Sequence, residues 1–407
     1  MTRSTSSRAL MLAGFVGIFI WGSIAGLLGA LLPSLRERAG ISLSDSGWMF
    51  VALSSGLVAS SLIAGYLLDR LGKKVVLCTA ISLVILALVL FEFLTSLPAM
   101  IALAFMLGAG GSAVVTGGHA LISDLNPEHR AASLNLLDVF FGIGAFVTPF
   151  AIVPMQQRGG TAAVLFTLAT LAAVGLVFLL MVRFPRAVES QGVSLTDALA
   201  VVRSPLFLLP ALLVFLYVGT EQSVWDWQVT YFMRRLSMDN VSAARVLSIF
   251  PIAIMIGRLI NHRLLMRISP FPVLMASTAG ATVCFVVAMV ATSAPVAAGA
   301  LLAAGLLMAS IFPTALGVVS GRFPQASGTA MGLAITCGWV GSMAISPAFG
   351  FVAQRTDFAR GYLVIVAASA AMALTAAGLL RQSRRVAVKP QPVRAAGRQP
   401  LGDGQAR

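Results

Sequence analysis

Gly65-Tyr66-Leu67-Leu68-Asp69-Arg70-Leu71-Gly72-Lys73-Lys74 sets three cations and one carboxylate between two long apolar runs. A gap this short holds no domain. It reads as a tight turn where two membrane-spanning helices meet the aqueous face, with Gly72 permitting the turn and the lysines facing anionic lipid. The flanking runs, 47–68 and 75–94, are each long enough to cross a bilayer as a helix.

Composition extends that reading to the whole chain. Of 407 residues, 58% are hydrophobic and 10% charged, and mean hydropathy is +0.94, whereas about a quarter of the residues of a soluble domain carry charge. The fold class expected is an all-α integral membrane protein. The net charge of +14 does not signal nucleic-acid binding, because the cations lie singly or in small groups between apolar runs with few aromatics beside them; positive-inside topology accounts for them. Cys78, Cys284 and Cys337 each fall in an apolar run without CxxC spacing and read as small buried side chains. No phosphate-binding loop, metal cluster or catalytic-triad pattern is present, so neither an enzyme, a cofactor nor a metal is expected.

Twelve apolar runs have helical spanning length: 9–33, 47–68, 75–94, 98–123, 133–155 and 160–182, then 206–232, 243–262, 271–292, 295–319, 327–352 and 359–380. The first is too long for a signal-peptide core and counts as a span. Residues 1–182 therefore form one six-helix bundle and 206–380 a second, joined by a polar linker, 183–205, whose Leu195–Val202 portion reads as a short amphipathic surface helix. The segment 381–407 has seven cations with several Pro and Gly and reads as a disordered basic tail. Lys and Arg concentrate in alternate connections, which puts both termini on the cytoplasmic side.

The two bundles repeat. Leu67-Leu68-Asp69-Arg70 aligns with Leu264-Leu265-Met266-Arg267, Pro127 with Pro324 and Gly144 with Gly341, all at an offset of 197. Duplicated bundles are the architecture of transporters whose substrate site lies at the repeat interface.

Gly65, Asp69, Arg70, Gly72, Lys73 and Lys74 fill the pattern G-x-x-x-D-R-x-G-[RK]-[RK], between the second and third of twelve spans, and through it the chain resembles the major facilitator superfamily. Three further stretches look like the fucose-permease-like sugar carriers. They are Leu134-Asn135-Leu136-Leu137 with Phe140 to Gly144 and Pro149, Tyr217-Val218-Gly219-Thr220-Glu221 with Trp227 and Tyr231, and Ser327 to Gly332 with Gly341 and Pro347. The resemblance implies alternating access, a monomer, and a path lined by spans one and ten, with Trp21, Ser23, Ser310, Phe312 and Thr314 as candidates. It also implies that Asp69 approaches the N-terminal end of span eleven near Ser327 and closes the inner gate. The repeat makes that latch one-sided, because Met266 replaces Asp69 in the second half. Carriers of this kind often bind the coupling proton on a carboxylate in the first and fourth helices; this chain has none there, and His119 stands in the fourth.

Ionisable groups within spans are expensive and so mark function. Asp138, Glu221, Asp226 and His119 are the candidates, while Glu92 and Arg258 lie close enough to span ends to read as interfacial. Asp138 has no cation at i±3 or i±4, so it is protonated, wetted or paired across helices. Tyr217, Glu221, Trp225 and Gln228 follow helical spacing and form a stripe suited to a polyol, with aromatic faces for C–H groups and polar ends for hydroxyls. The bland reading makes Trp225, Trp227 and Tyr231 an aromatic belt. Substrate binding is assigned to Tyr217, Glu221, Trp225, Gln228, His119, Asn135, Trp21 and Thr314, and proton coupling to Asp138, Glu221 and Asp226. Pro313 is expected to bend span ten. The expected protein is a secondary active transporter of a small polar solute, a sugar or related compound, with protons and membrane lipids as its other partners, in the inner or plasma membrane. A drug or metabolite exporter of the same fold, and a non-transporting membrane sensor or membrane enzyme, are the alternatives.

Overall fold

The computed structural model describes residues 2–184 and 195–388. Its helices are α1 (Thr2–Ala25), α2 (Leu27–Ala39), α3 (Leu43–Leu71), α4 (Lys73–Phe93), α5 (Leu97–Leu125), α6 (Arg130–Met181), α7 (Leu195–Arg203), α8 (Pro205–Leu236), α9 (Asn240–Leu265), α10 (Pro270–Val290), α11 (Ala294–Met308), α12 (Ile311–Arg322), α13 (Ser327–Arg355) and α14 (Phe358–Val388), with no strand among the described residues.

Eleven helical stretches are long and apolar enough to span, and one of them holds two passes. The 52 residues of α6 would run roughly 78 Å at 1.5 Å per residue, far beyond a bilayer. Gly159 and Gly160 break it with non-helical dihedrals, Gly160 at φ +63°, where a side chain would be strained. Runs 133–155 and 160–182 are thus separate passes, and the total among the described residues is twelve. The first pass bends at Gly26 between α1 and α2. The tenth is interrupted at Ala309–Ser310 between α11 and α12; Pro313, four residues on, has no N–H to offer the Ala309 carbonyl. The last helix continues through Val388, so 381–388 is helix and not tail; the remainder of the basic tail lies outside the described residues.

The two halves pack alike. In the first, α3 lies on α5 and α1 on α6; in the second, α13 lies on α8 and α11 on α9. The matched glycines explain part of this. A Cβ at Gly144 would overlap the Phe19 carbonyl of α1, and one at Gly341 the Phe215 carbonyl of α8, so both glycines permit the same close crossing. Ser123 and Ser320, themselves 197 apart, hydrogen-bond to each other at 2.6 Å. A contact between repeat-equivalent residues places the pseudo-twofold axis between them.

Contacts between the bundles gather at one end of the molecule, the end carrying the Gly72 turn and α7. There α3 meets α13, and α6 meets α9 and α12. At the opposite end, α2 packs on α1, α3 and α6 of its own bundle. The molecule is therefore closed on the linker side.

Candidate functional site

The bundle interface holds four ionisable residues, three of them buried and the fourth, Glu221, half-buried. Asp138, in the first turns of α6, sits between His119 of α5 and Arg258 of α9, with its Oδ1 3.0 Å from His119 Nε2 and its Oδ2 3.7 Å from Arg258 Nη2. Arg258 Nη1 also donates to the Asp138 backbone carbonyl at 3.0 Å. Glu221, with Tyr217 one turn before it on α8, lies within electrostatic reach of both Arg258 and Asp138. Asp138 is 4% exposed, His119 1% and Arg258 7%. So deep a charge cluster persists only if its members compensate one another.

His119 Nδ1 lies 2.8 Å from the Val115 carbonyl, which can only accept, so Nδ1 carries a hydrogen. Its Nε2 lies 3.0 Å from Asp138 Oδ1 without hydrogen-bond alignment, and neither Nε2 nor Asp138 Oδ2 has a hydrogen-bond partner among the described residues.

Around the charges lies a mixed wall. Asn135 Nδ2 donates to Thr314 Oγ1 at 3.2 Å, linking α6 to α12. Phe312 stands between the halves, edge-on to His119 at 5.6 Å and stacked near Tyr217 at 6.0 Å. His119, Asn135, Asp138, Tyr217, Glu221 and Thr314 are thus brought together from four helices.

Other candidates lie elsewhere. Gln228 is buried inside the second bundle, accepting from Tyr362 at 3.2 Å, because eleven residues carry it roughly 16 Å along the helix from Tyr217. Trp225 is turned about 80° from Tyr217; it is 41% exposed and meets Phe250 edge-on. The four-residue stripe is therefore split. The aromatic belt does not form either, since Tyr231 is fully buried, donating to the Met289 carbonyl, and Trp227 stacks on Phe349. Asp226 stands apart from the charged group, accepting from Gln222 at 2.8 Å and from Ser346. Trp21 is buried against Gly111 within the first bundle.

Arg258 corrects the sequence reading. It does not snorkel; it lies two turns inside α9 because Asp138 receives it across the interface. Glu92 does sit at a helix end, paired with Arg38 at 2.7 Å.

The turn motif forms a second constellation on the linker side. Asp69 accepts from the first-turn amides of α13, Gly328 at 3.0 Å and Thr329 at 2.7 Å, and from the Thr329 hydroxyl at 2.7 Å. A carboxylate on free N–H groups at a helix N-terminus is a favourable charge–dipole arrangement. Gly65 makes room for it, packing directly on Gly328 and Gly332. Lys73 pairs with Asp124 at 2.6 Å, and Asp124 also accepts from Ser327. Lys74 caps the end of α6 through the carbonyls of Leu180 and Val182. Arg70 bonds Tyr66 at 3.0 Å, and Gly72 takes φ +87°.

Twelve crossings, two repeated bundles and an ionisable site at their join define a membrane transporter. A family model described as Major Facilitator Superfamily matches residues 10–347, and the chain belongs to that family. Among relatives, the chain is 26% identical over 331 residues to the glucose/mannose transporter GlcP of Bacillus subtilis, covering 77% of this chain and 80% of that one. It is 31% identical over 133 residues to the 4-hydroxybenzoate transporter PcaK of Pseudomonas aeruginosa, a match that takes in 33% of this chain and only 30% of that relative. Two structures of the fucose:proton symporter FucP share the fold at 19% identity. One, from E. coli, has a TM-score of 0.81 and covers 92% of this chain and 99% of that one; the other, in the outward conformation, has a TM-score of 0.80 and covers 90% and 98%.

Proposed function

We propose that this chain is a proton-coupled secondary transporter that carries a small polar solute, a sugar or related compound, across the inner or plasma membrane as a monomer with both termini cytoplasmic. The observation that carries the reading is the buried Asp138 carboxylate at the bundle join, 3.0 Å from His119 Nε2 and 3.7 Å from Arg258 Nη2. In this reading the linker side is the cytoplasmic side, and the molecule is closed there and outward-facing. A proton from outside is taken up at the His119–Asp138 pair. Solute then binds at the Phe312 and Tyr217 rings, using Asn135, Thr314 and Glu221 for its hydroxyls. The bundles rock about the join and the cavity opens inward, where solute and proton leave. The emptied carrier rocks back with His119 and Arg258 again facing the Asp138 carboxylate. GlcP and FucP, whose names state sugars, favour a polyol.

A second reading, a carrier of a small organic acid, rests on Arg258, which could exchange Asp138 for a substrate carboxylate. Proteoliposomes supplied with a sugar panel and an aromatic acid separate the two. We expect Asp138→Asn to abolish accumulation driven by a pH gradient while leaving solute exchange between equal pools. If Asp138→Asn and Glu221→Gln both accumulate solute as the parent does, proton coupling at this site is wrong.

A further inference from the structure

On the outer flank of the second bundle, α9 leaves a wedge. Gly257 pinches α9 against the Leu306 carbonyl of α11, and toward the linker side the helices diverge. The resulting groove, about 480 Å³, is walled by apolar side chains including Ile260, Leu264, Ile268, Val273 and Leu307. A second groove, about 550 Å³, shares Ile260 and Leu264 and ends at Arg263 and Arg267. An apolar slot thus runs along the membrane-buried part of α9 and opens onto two cations at its aqueous end.

Among the described residues those cations have no acidic partner within ion-pair distance. No Asp or Glu occurs between Asp239 and Asp357, and the described ion pairs include neither arginine. Arg263 closes the last turn of α9 and Arg267 lies in the turn that follows, so two like charges sit one turn apart, a mutually repulsive spacing unless an anion lies between them. The first bundle treats the equivalent positions differently. Tyr66 and Arg70, 197 residues earlier, satisfy each other, with the phenol accepting from the guanidinium.

We propose that this slot is a binding site for an anionic glycerophospholipid, with one acyl chain in the α9 groove and the headgroup phosphate between Arg263 and Arg267. Charge complementarity selects the headgroup and the adjoining groove selects a lipid over a free anion.

The full chain in detergent micelles, titrated with phosphatidylglycerol or phosphatidylcholine of identical acyl chains and read by native mass spectrometry, tests this. We expect phosphatidylglycerol to be retained at least roughly 10-fold more tightly, from two cations near an anionic headgroup. Arg263→Gln with Arg267→Gln should remove the preference, and Arg70→Gln should not. Ile260→Trp, which fills the slot and leaves both arginines, should weaken retention of the lipid; this variant decides the matter if the double variant does not fold. Equal retention of the two lipids, a preference that survives the double variant, or an Ile260→Trp chain that binds as the parent does overturns the proposal. Displacement of the lipid by glycerol 3-phosphate at equal concentration also overturns it, because the site would then recognise a free anion.

Discussion

The two linker-side interfaces between the bundles are copies of each other by sequence offset, yet they are held by different chemistry. In α3 against α13, Ser61 bonds Thr336 at 2.7 Å, Gly65 touches Gly328 and Gly332, and Asp69 anchors the rim. Adding 197 to each α3 position gives Arg258 and His262 on α9, which reach α6, and Met266 just past the end of α9. There Arg258 reaches Asp138, His262 bonds the Ala132 carbonyl at 2.8 Å, and Met266 brings no charge to the rim. One interface has its ionic anchor at the aqueous edge and hydroxyls inside; the other has its ionic anchor inside and an apolar rim. The rim anchor is far from the solute site, so it can bias the closed state without sensing what is bound. The deep anchor is part of the site, so whatever titrates or binds there also loosens the joint.

The deep anchor should be the more costly to break. Arg258→Met strips the partner from a buried carboxylate; we expect a loss of about 3–5 kcal/mol, read as a lowered unfolding midpoint, together with loss of transport. Asp138→Leu with Arg258→Met should restore most of the midpoint while transport stays absent, because replacing both partners removes the uncompensated charge. A double variant that still accumulates solute would show the anchor to be structural and would erase the contrast between the interfaces.

The rim interface depends first on close approach. A Cβ on Gly332 would overlap the Ser61 carbonyl, and Gly332→Ala should cost the linker-side-closed state about 1–3 kcal/mol by overpacking. Spin-label distances across that side should lengthen; unchanged distances would mean the backbone absorbs a methyl without strain. Asp69→Asn is milder, because the amide oxygen keeps one acceptor while the charge on the α13 N-terminus is lost, worth about 1 kcal/mol. Solute affinity should hold while transport slows several-fold. An unaltered rate would remove Asp69 from the comparison.

What was readable beforehand follows from which forces are local. Span length, the paired glycines and the Gly72 turn are set by neighbouring residues, whereas the contact of Asp69 with the N-terminus of α13 came from the family resemblance, since nothing local to the turn points to a helix some 260 residues away. Arg258 was not legible. Its distance from the end of α9 allows a long side chain to reach water, and only the cross-bundle position of Asp138 makes burial favourable. Trp225 and Gln228 failed for a related reason: helical spacing gives an angle, but the layer a residue occupies depends on how far α8 runs before it meets α12-side or α14-side partners such as Phe312 and Tyr362.

The smallest effect is the most direct test of the asymmetry. Met266→Asp would put a carboxylate at the position equivalent to Asp69; the positions equivalent to its partners Gly328 and Thr329 are Ala131 and Ala132, in the first turn of α6. A carboxylate at that N-terminus should stabilise the linker-side-closed state by about 0.3–1 kcal/mol. The closed population by spin-label distance should rise slightly and transport should slow, since both rims would then have to open. The gain is held small by the absence of small residues: His262 and Asn135 stand where Gly65 and Gly332 let α3 and α13 touch, so the new carboxylate would meet the amides at longer range. If Met266→Asp instead raised the closed population as much as Asp69→Asn lowers it, close helix approach would not be needed for the latch, and the glycines of the first interface would owe their place to packing alone.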